Sequence, residues 1–218
     1  KVILVEAQLH ERRGEADKAV ECCEAIVARP SVKEADAFLA ALVLRDANRL
    51  DLLVEHLKSR YDQDGFHNDG LLRLYSLADV LTNHDPQEGL QVLSDLWGAA
   101  PTNGNVVADY ATALVASGRT SDAKAILERG MDEVPSRSMG YRSVLETYAL
   151  MFEKQGKFTD AFRMYRDSIS NSPNHLHLYR AFARCLLEAA AAYRSQGASA
   201  QEDSAATEAK QILGKLLL

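Results

Sequence analysis

Apolar residues recur at spacings of three and four over 106–117 and 122–132, the one-sided pattern of a helix that packs along a single face. Ala, Leu, Glu, Arg and Lys fill the ordered stretches, and no window alternates β-branched and polar residues in the period of two that marks a strand. The pattern predicts helices throughout, each about 11 to 15 residues long. Short polar breaks at 13–15, 117–119 and 155–157 each centre on a glycine, which can adopt the left-handed conformation that ends a helix. Helices this short, joined by such breaks, form helical hairpins.

The hairpins repeat. Pro30, Pro101, Pro135 and Pro173 each close a pair of helices, with 71, 34 and 38 residues between successive members. Gly118, Ala123 and Pro135 have the same spacing as Gly156, Ala161 and Pro173: alanine five residues after glycine, and proline twelve after alanine. In these residues the chain resembles the tetratricopeptide repeat family, a 34-residue helix-turn-helix unit with a small residue in its first helix, Gly at the turn, Ala early in the second helix and Pro at its end. Ala111 and Ala149 hold the small first-helix position. Gly14 and Ala19 fit in the first unit, although Pro30 arrives one residue early; Gly89 and Pro101 fit in the third, with His84 at the turn. The second unit turns at Asn48 with Leu53 in the alanine place. A sixth begins after Pro173, with Ala183 in register and a first helix that runs on to Tyr193 before Gly197. Asp85 and Pro86 read as the cap and first residue of a second helix.

The physical logic holds without the family name. Small residues let two helix axes approach, proline cannot extend the hydrogen-bonded ladder, and one hairpin alone cannot bury both its apolar faces, whereas a stack of hairpins can. The fold expected is all-α: a right-handed superhelical α-solenoid of about six repeats, at 1–31, 32–67, 68–101, 102–135, 136–173 and 174–218, forming a single domain cut from a longer protein.

The resemblance implies a concave groove lined by first helices that takes a protein or peptide partner. Projecting the repeat register places Leu71, Leu74, Tyr75 and Ala78 of the third unit on that groove. Asn105, Ala108, Asp109 and Thr112 follow in the fourth, Ser143, Glu146, Thr147 and Leu150 in the fifth, and His177, Arg180, Arg184 and Glu188 in the sixth. An apolar stretch thus gives way to a polar one with a basic end, where Arg180 and Arg184 could grip a carboxylate. The alternative is a structural, regulatory or self-assembly arm of a larger enzyme or complex, working through its ends or convex face. Its motive is the apolar terminus 212–218, which leaves room for self-association through the C-terminal helix.

Composition narrows the rest. The chain has 218 residues, with 47% hydrophobic and 26% charged, and 25 Lys and Arg against 31 Asp and Glu give a net charge of −6. That balance argues against broad nucleic-acid or anionic-membrane binding. The longest apolar run, 37–44, is far short of a membrane span, so no membrane insertion is expected. Cys22, Cys23 and Cys185 are too few for a disulfide framework; Cys185 reads as a core residue, and the cytoplasm is the expected location, with the periplasm left open. The six histidines form no metal-ligand pattern, His175 and His177 being the nearest approach to one, and neither a phosphate-cradling loop nor a nucleophile signature is present. No catalytic residue, metal or cofactor is expected.

Overall fold

The computed structural model describes residues 5–7, 9–10, 13–29, 32–64 and 69–216. Pro30, Leu217 and Leu218 lie outside them. Helical residues at 5–7 and 9–10 precede eleven helices. These are α1 (Ala16–Val27), α2 (Glu34–Asp46), α3 (Leu50–Asp64), α4 (Asp69–Thr82), α5 (Pro86–Ala99), α6 (Gly104–Ala116), α7 (Thr120–Glu133), α8 (Met139–Lys154), α9 (Phe158–Asn171), α10 (Leu176–Ser195) and α11 (Ser199–Leu216). No strand occurs among the described residues, and the fold is the all-α helical repeat expected.

One backbone device closes every hairpin. Gly14, Asn48, Asn83, Gly118, Gly156 and Gly197 have φ between 56° and 77°, and the amide of the next residue donates in each case to the carbonyl five residues before that amide. The bonds run from Glu15 to His10 (2.9 Å), Arg49 to Leu44 (2.7 Å), His84 to Asp79 (3.1 Å), Arg119 to Leu114 (2.8 Å), Lys157 to Phe152 (2.9 Å) and Ala198 to Tyr193 (2.9 Å). This is the left-handed closure that satisfies the last carbonyls of a helix. The left-handed residues fall 34, 35, 35, 38 and 41 apart, the last interval reflecting the 20-residue α10. In the third hairpin the left-handed residue is Asn83, one before the His84 expected at the turn. Asp85 caps α5 by accepting from the Glu88 amide at 3.1 Å, as the Asp-Pro pair implied.

Packing divides the chain into two compact units, residues 1–99 with 116–118, and residues 100–115 with 119–218. In the first, α1 packs on α2 and α3, α2 on α4, and α3 on α4, which pairs with α5. Ala37, Ala40, Ala41 and Leu44 of α2 meet Leu53 and Leu57 of α3 and Leu71, Leu74 and Tyr75 of α4 in a continuous core. At the end of α4 the carboxylate of Asp79 is fully buried and lies 2.8 Å from His84 Nδ1.

In the second unit α7 packs on α8, α8 on α9, α9 on α10 and α10 on α11. Ala111, Ala123, Ala149 and Ala161, the small positions of the two best-matched repeats, are all fully buried. Phe182 of α10 inserts against α9, its ring 5.5 Å from that of Tyr165 and 5.8 Å from that of Phe162. Burial of a ring that size is worth about 2 kcal/mol or more, so this insertion pins one hairpin to the next. Arg166 lies over the Phe182 ring at 5.6 Å and makes a bidentate pair with Glu208 of α11.

Candidate interaction surface

The first helices α6, α8 and α10 carry polar side chains that reach from one to the next. Asn103 accepts from the Asn105 amide at 3.2 Å at the start of α6, and Ser138 accepts from the Tyr141 amide at 3.1 Å at the start of α8. Those caps fix the first turns from which the surface grows. Ser143 Oγ donates to Asn105 Oδ1 at 2.9 Å, joining α8 to α6. Glu146 of α8 lies 3.1 Å from His177 Nε2 of α10, and Glu153 of α8 lies 2.6 Å from Arg184 Nη1 of α10. Both α8–α10 contacts join residues 31 apart, two helical turns from one another, so the two helices run side by side in constant register.

Around these rungs the charges are closely matched. Arg142 Nε approaches Glu146 at 3.1 Å, and its Nη1 meets His175 Nε2. Burial, then Arg142, then His177 hold the His175 imidazole below its ordinary pKa, which keeps it a neutral acceptor. The Glu153 side chain, 7% exposed, also accepts from the Tyr165 hydroxyl of α9 at 3.1 Å. Burial first, and Glu153 next, push that hydroxyl above the usual phenol range, so it stays a proton donor. Tyr148 is pushed up to about 12 by burial and by Glu128, to which it donates at 3.2 Å. Burial likewise raises the Cys185 thiol, with Glu153 adding to the effect, and Cys185 is a core residue.

The expected groove residues separate into two groups. Leu71, Leu74 and Tyr75 are buried in the core of the first unit and are not a free surface. The reason is visible in α4 itself, which is apolar on nearly every side and is covered by α2, α3 and α5. In the second unit Asn105, His177, Arg180 and Arg184 are exposed, while Asp109, Glu146 and Thr147 are half-buried. The pairing of the two arginines differs from the expectation: Arg184 is held between Glu153 and Glu188, each at 2.6 Å, and only Arg180 has no ion pair among the described residues. Glu153 and Arg142 were not picked out from the sequence. The equal spacing of Glu146 to His177 and Glu153 to Arg184 was the signal that could have found the first. Among the described residues no three metal-ligating side chains converge, and no helix is long and apolar enough to cross a membrane.

Residues 80–141 match the tetratricopeptide repeat family model. The chain is similar to a thermophilic tetratricopeptide protein of Thermus thermophilus, at 16% identity over 85% of this chain and 97% of that one, with a TM-score of 0.56. It is also similar to the human IFIT1 dimer with m7Gppp-AAAA, at 13% identity over 94% of this chain and 49% of that one, with a TM-score of 0.56. No curated protein matches the sequence. With the family match confined to 80–141 and helical hairpins closed by the same left-handed turn on both sides of it, the chain is an all-α helical repeat protein whose fold is similar to that of tetratricopeptide repeat proteins.

Proposed function

We propose that the chain is a protein-interaction scaffold whose binding surface is the first-helix face of α6, α8 and α10. Asn105, Asp109, Glu146, Thr147, His177, Arg180 and Arg184 form that surface, and the partner is a protein or peptide segment. The observation that carries the proposal is the polar strip laced by Ser143–Asn105, Glu146–His177 and Glu153–Arg184, beside which Arg180 has no ion pair among the described residues. Such a strip suits a segment with polar side chains and one carboxylate, read by a charge-assisted bidentate bond. Three cysteines, too few for a disulfide framework, support a reducing compartment such as the cytoplasm.

An array of acidic peptides tests the reading. Substitutions Asn105→Ala, Glu146→Gln and Arg180→Ala should each weaken the captured peptides by about tenfold. Unchanged binding in all three removes this face from the proposal. A second reading, an arm that joins a larger assembly through its end, is favoured by exposed leucines on α10 and α11.

A further inference from the structure

The last hairpin holds an open trough of about 450 Å³ between α10 and α11. Leu187, half exposed, and Leu213, 40% exposed, stand over a floor that includes Ala183 and Ala191. Ala183, Leu187 and Ala191 are four residues apart on α10, so a single large side chain stands between two small ones on one helical row. Phe182, on the same helix, points elsewhere, against Tyr165 and Phe162 of α9. Nothing covers this trough among the described residues.

Its rim carries both signs of charge. Arg184 is shared by two carboxylates, Glu153 and Glu188, so one negative charge in excess remains toward the Glu188 end, while Arg180 at the other end has no ion pair among the described residues. Arg180 and Glu188 lie eight residues, or about 12 Å, apart along α10. A strip with a plus end, a minus end and a small–large–small apolar row between them is complementary to itself when turned end for end. We propose that this trough is where a second copy of the chain docks, α10 against α10 in antiparallel orientation about a two-fold axis near Arg184. Leu187 of each copy then fills the space above Ala183 of the other, and Arg180 of each meets Glu188 of the other. Contacts of this kind come in identical pairs, as a closed two-fold interface requires. An acidic peptide would answer only Arg180, and an apolar helix neither charge, so the paired charges favour the second copy. The proposal rests on the second reading given above; it shares Arg180 with the peptide surface, and Asn105 and Glu146, which do not line the trough, tell the two apart.

Sedimentation equilibrium of the 218-residue chain, from about 1 to 100 µM, tests it. The expected result is a monomer–dimer equilibrium within that range. Leu187→Glu or Leu213→Glu should weaken it by at least about a hundredfold with unchanged helical circular dichroism, and Arg180→Glu or Glu188→Arg by about tenfold each. Mixing the Arg180→Glu and Glu188→Arg proteins supplies the decisive arm. Each variant alone faces two like-charge contacts, whereas the mixed dimer has two attractive ones, so it should form more tightly than either parent. A wild-type chain that stays monomeric over the whole range overturns the proposal, as does a mixture no tighter than its components. In either case, retained peptide binding that responds to Asn105→Ala and Glu146→Gln leaves the scaffold reading standing.

Discussion

Gly104 at the start of α6 and Gly140 at the start of α8 lie backbone to backbone: a Cβ on Gly104 would sit 2.7 Å from the Gly140 Cα, and one on Gly140 would sit 2.9 Å from the Gly104 nitrogen. Neither neighbour can yield, because both are main chain. Gly104→Ala and Gly140→Ala should each destabilise the protein by about 2 kcal/mol, despite the gain of up to about 1 kcal/mol that alanine brings to a helix. Gly98 in α5 and Gly214 in α11 have open space around the same position, so Gly98→Ala and Gly214→Ala should stabilise by about 0.5 to 1 kcal/mol. Urea titrations of the four variants check the contrast, and equal effects at all four sites refute it.

Glu153 gathers Arg184 and Tyr165 onto one buried carboxylate, linking α8, α9 and α10. Glu153→Ala should cost about 3 kcal/mol, since two donors lose their acceptor in a desolvated place. Arg184→Ala should cost less, about 1 kcal/mol, because half of that side chain is in solvent and Glu153 keeps the tyrosine. A double-mutant cycle on denaturant midpoints should return a coupling of about 1 kcal/mol; additive losses would show that the pair is incidental.

Asn48 and Asn83 hold the left-handed position that glycine fills in the other hairpins. Asparagine tolerates that conformation at some cost, and glycine has none. Asn48→Gly and Asn83→Gly should therefore raise stability by about 0.5 kcal/mol each, while Gly118→Ala should lower it by about 1 kcal/mol. Thermal unfolding of the three proteins reads the sign directly.

Asp79 is fully buried, one carboxylate oxygen facing His84 and the other, Oδ2, without a partner. Burial raises its pKa above the usual carboxylate value, outweighing the opposing hydrogen bond from His84. For an acid raised in the folded state, the favourable contribution is complete below the ordinary carboxylate range and is lost as pH climbs through the raised value. Asp79→Asn removes that loss. The variant should be the more stable by about 1 kcal/mol near pH 8, and the gap should close near pH 4. A wild type that gains on the variant as pH rises contradicts this account.

The repeat was legible because its signals are imposed by the backbone. Gly118 and Gly156 must be left-handed, and Ala123 and Ala161 sit where helices nearly touch, so spacing alone exposes them. Asn48, with neither alanine nor proline to follow it, was placed by its neighbours and turns where expected. The surface was less legible. Leu71, Leu74 and Tyr75 occupy groove positions by register, yet α4 offers apolar residues in every direction, and exposure there is decided by what packs on it. The pairing of Arg184 was hidden for another reason: Glu153, which it meets, is 31 residues away and becomes a neighbour only when α8 and α10 lie side by side.

The Arg184–Glu188 contact gives the proposed surface a built-in threshold. Glu188 is tethered one turn from the guanidinium it holds, so it competes with any visiting carboxylate at an effective concentration in the millimolar range or above, roughly that of a short linker. A ligand acid arriving alone cannot displace it; one delivered by further contacts along the strip can. Arg184 would thus respond to how well the rest of a segment fits rather than to negative charge as such, and an acidic chain surrounded by many acidic bystanders would not be titrated by them.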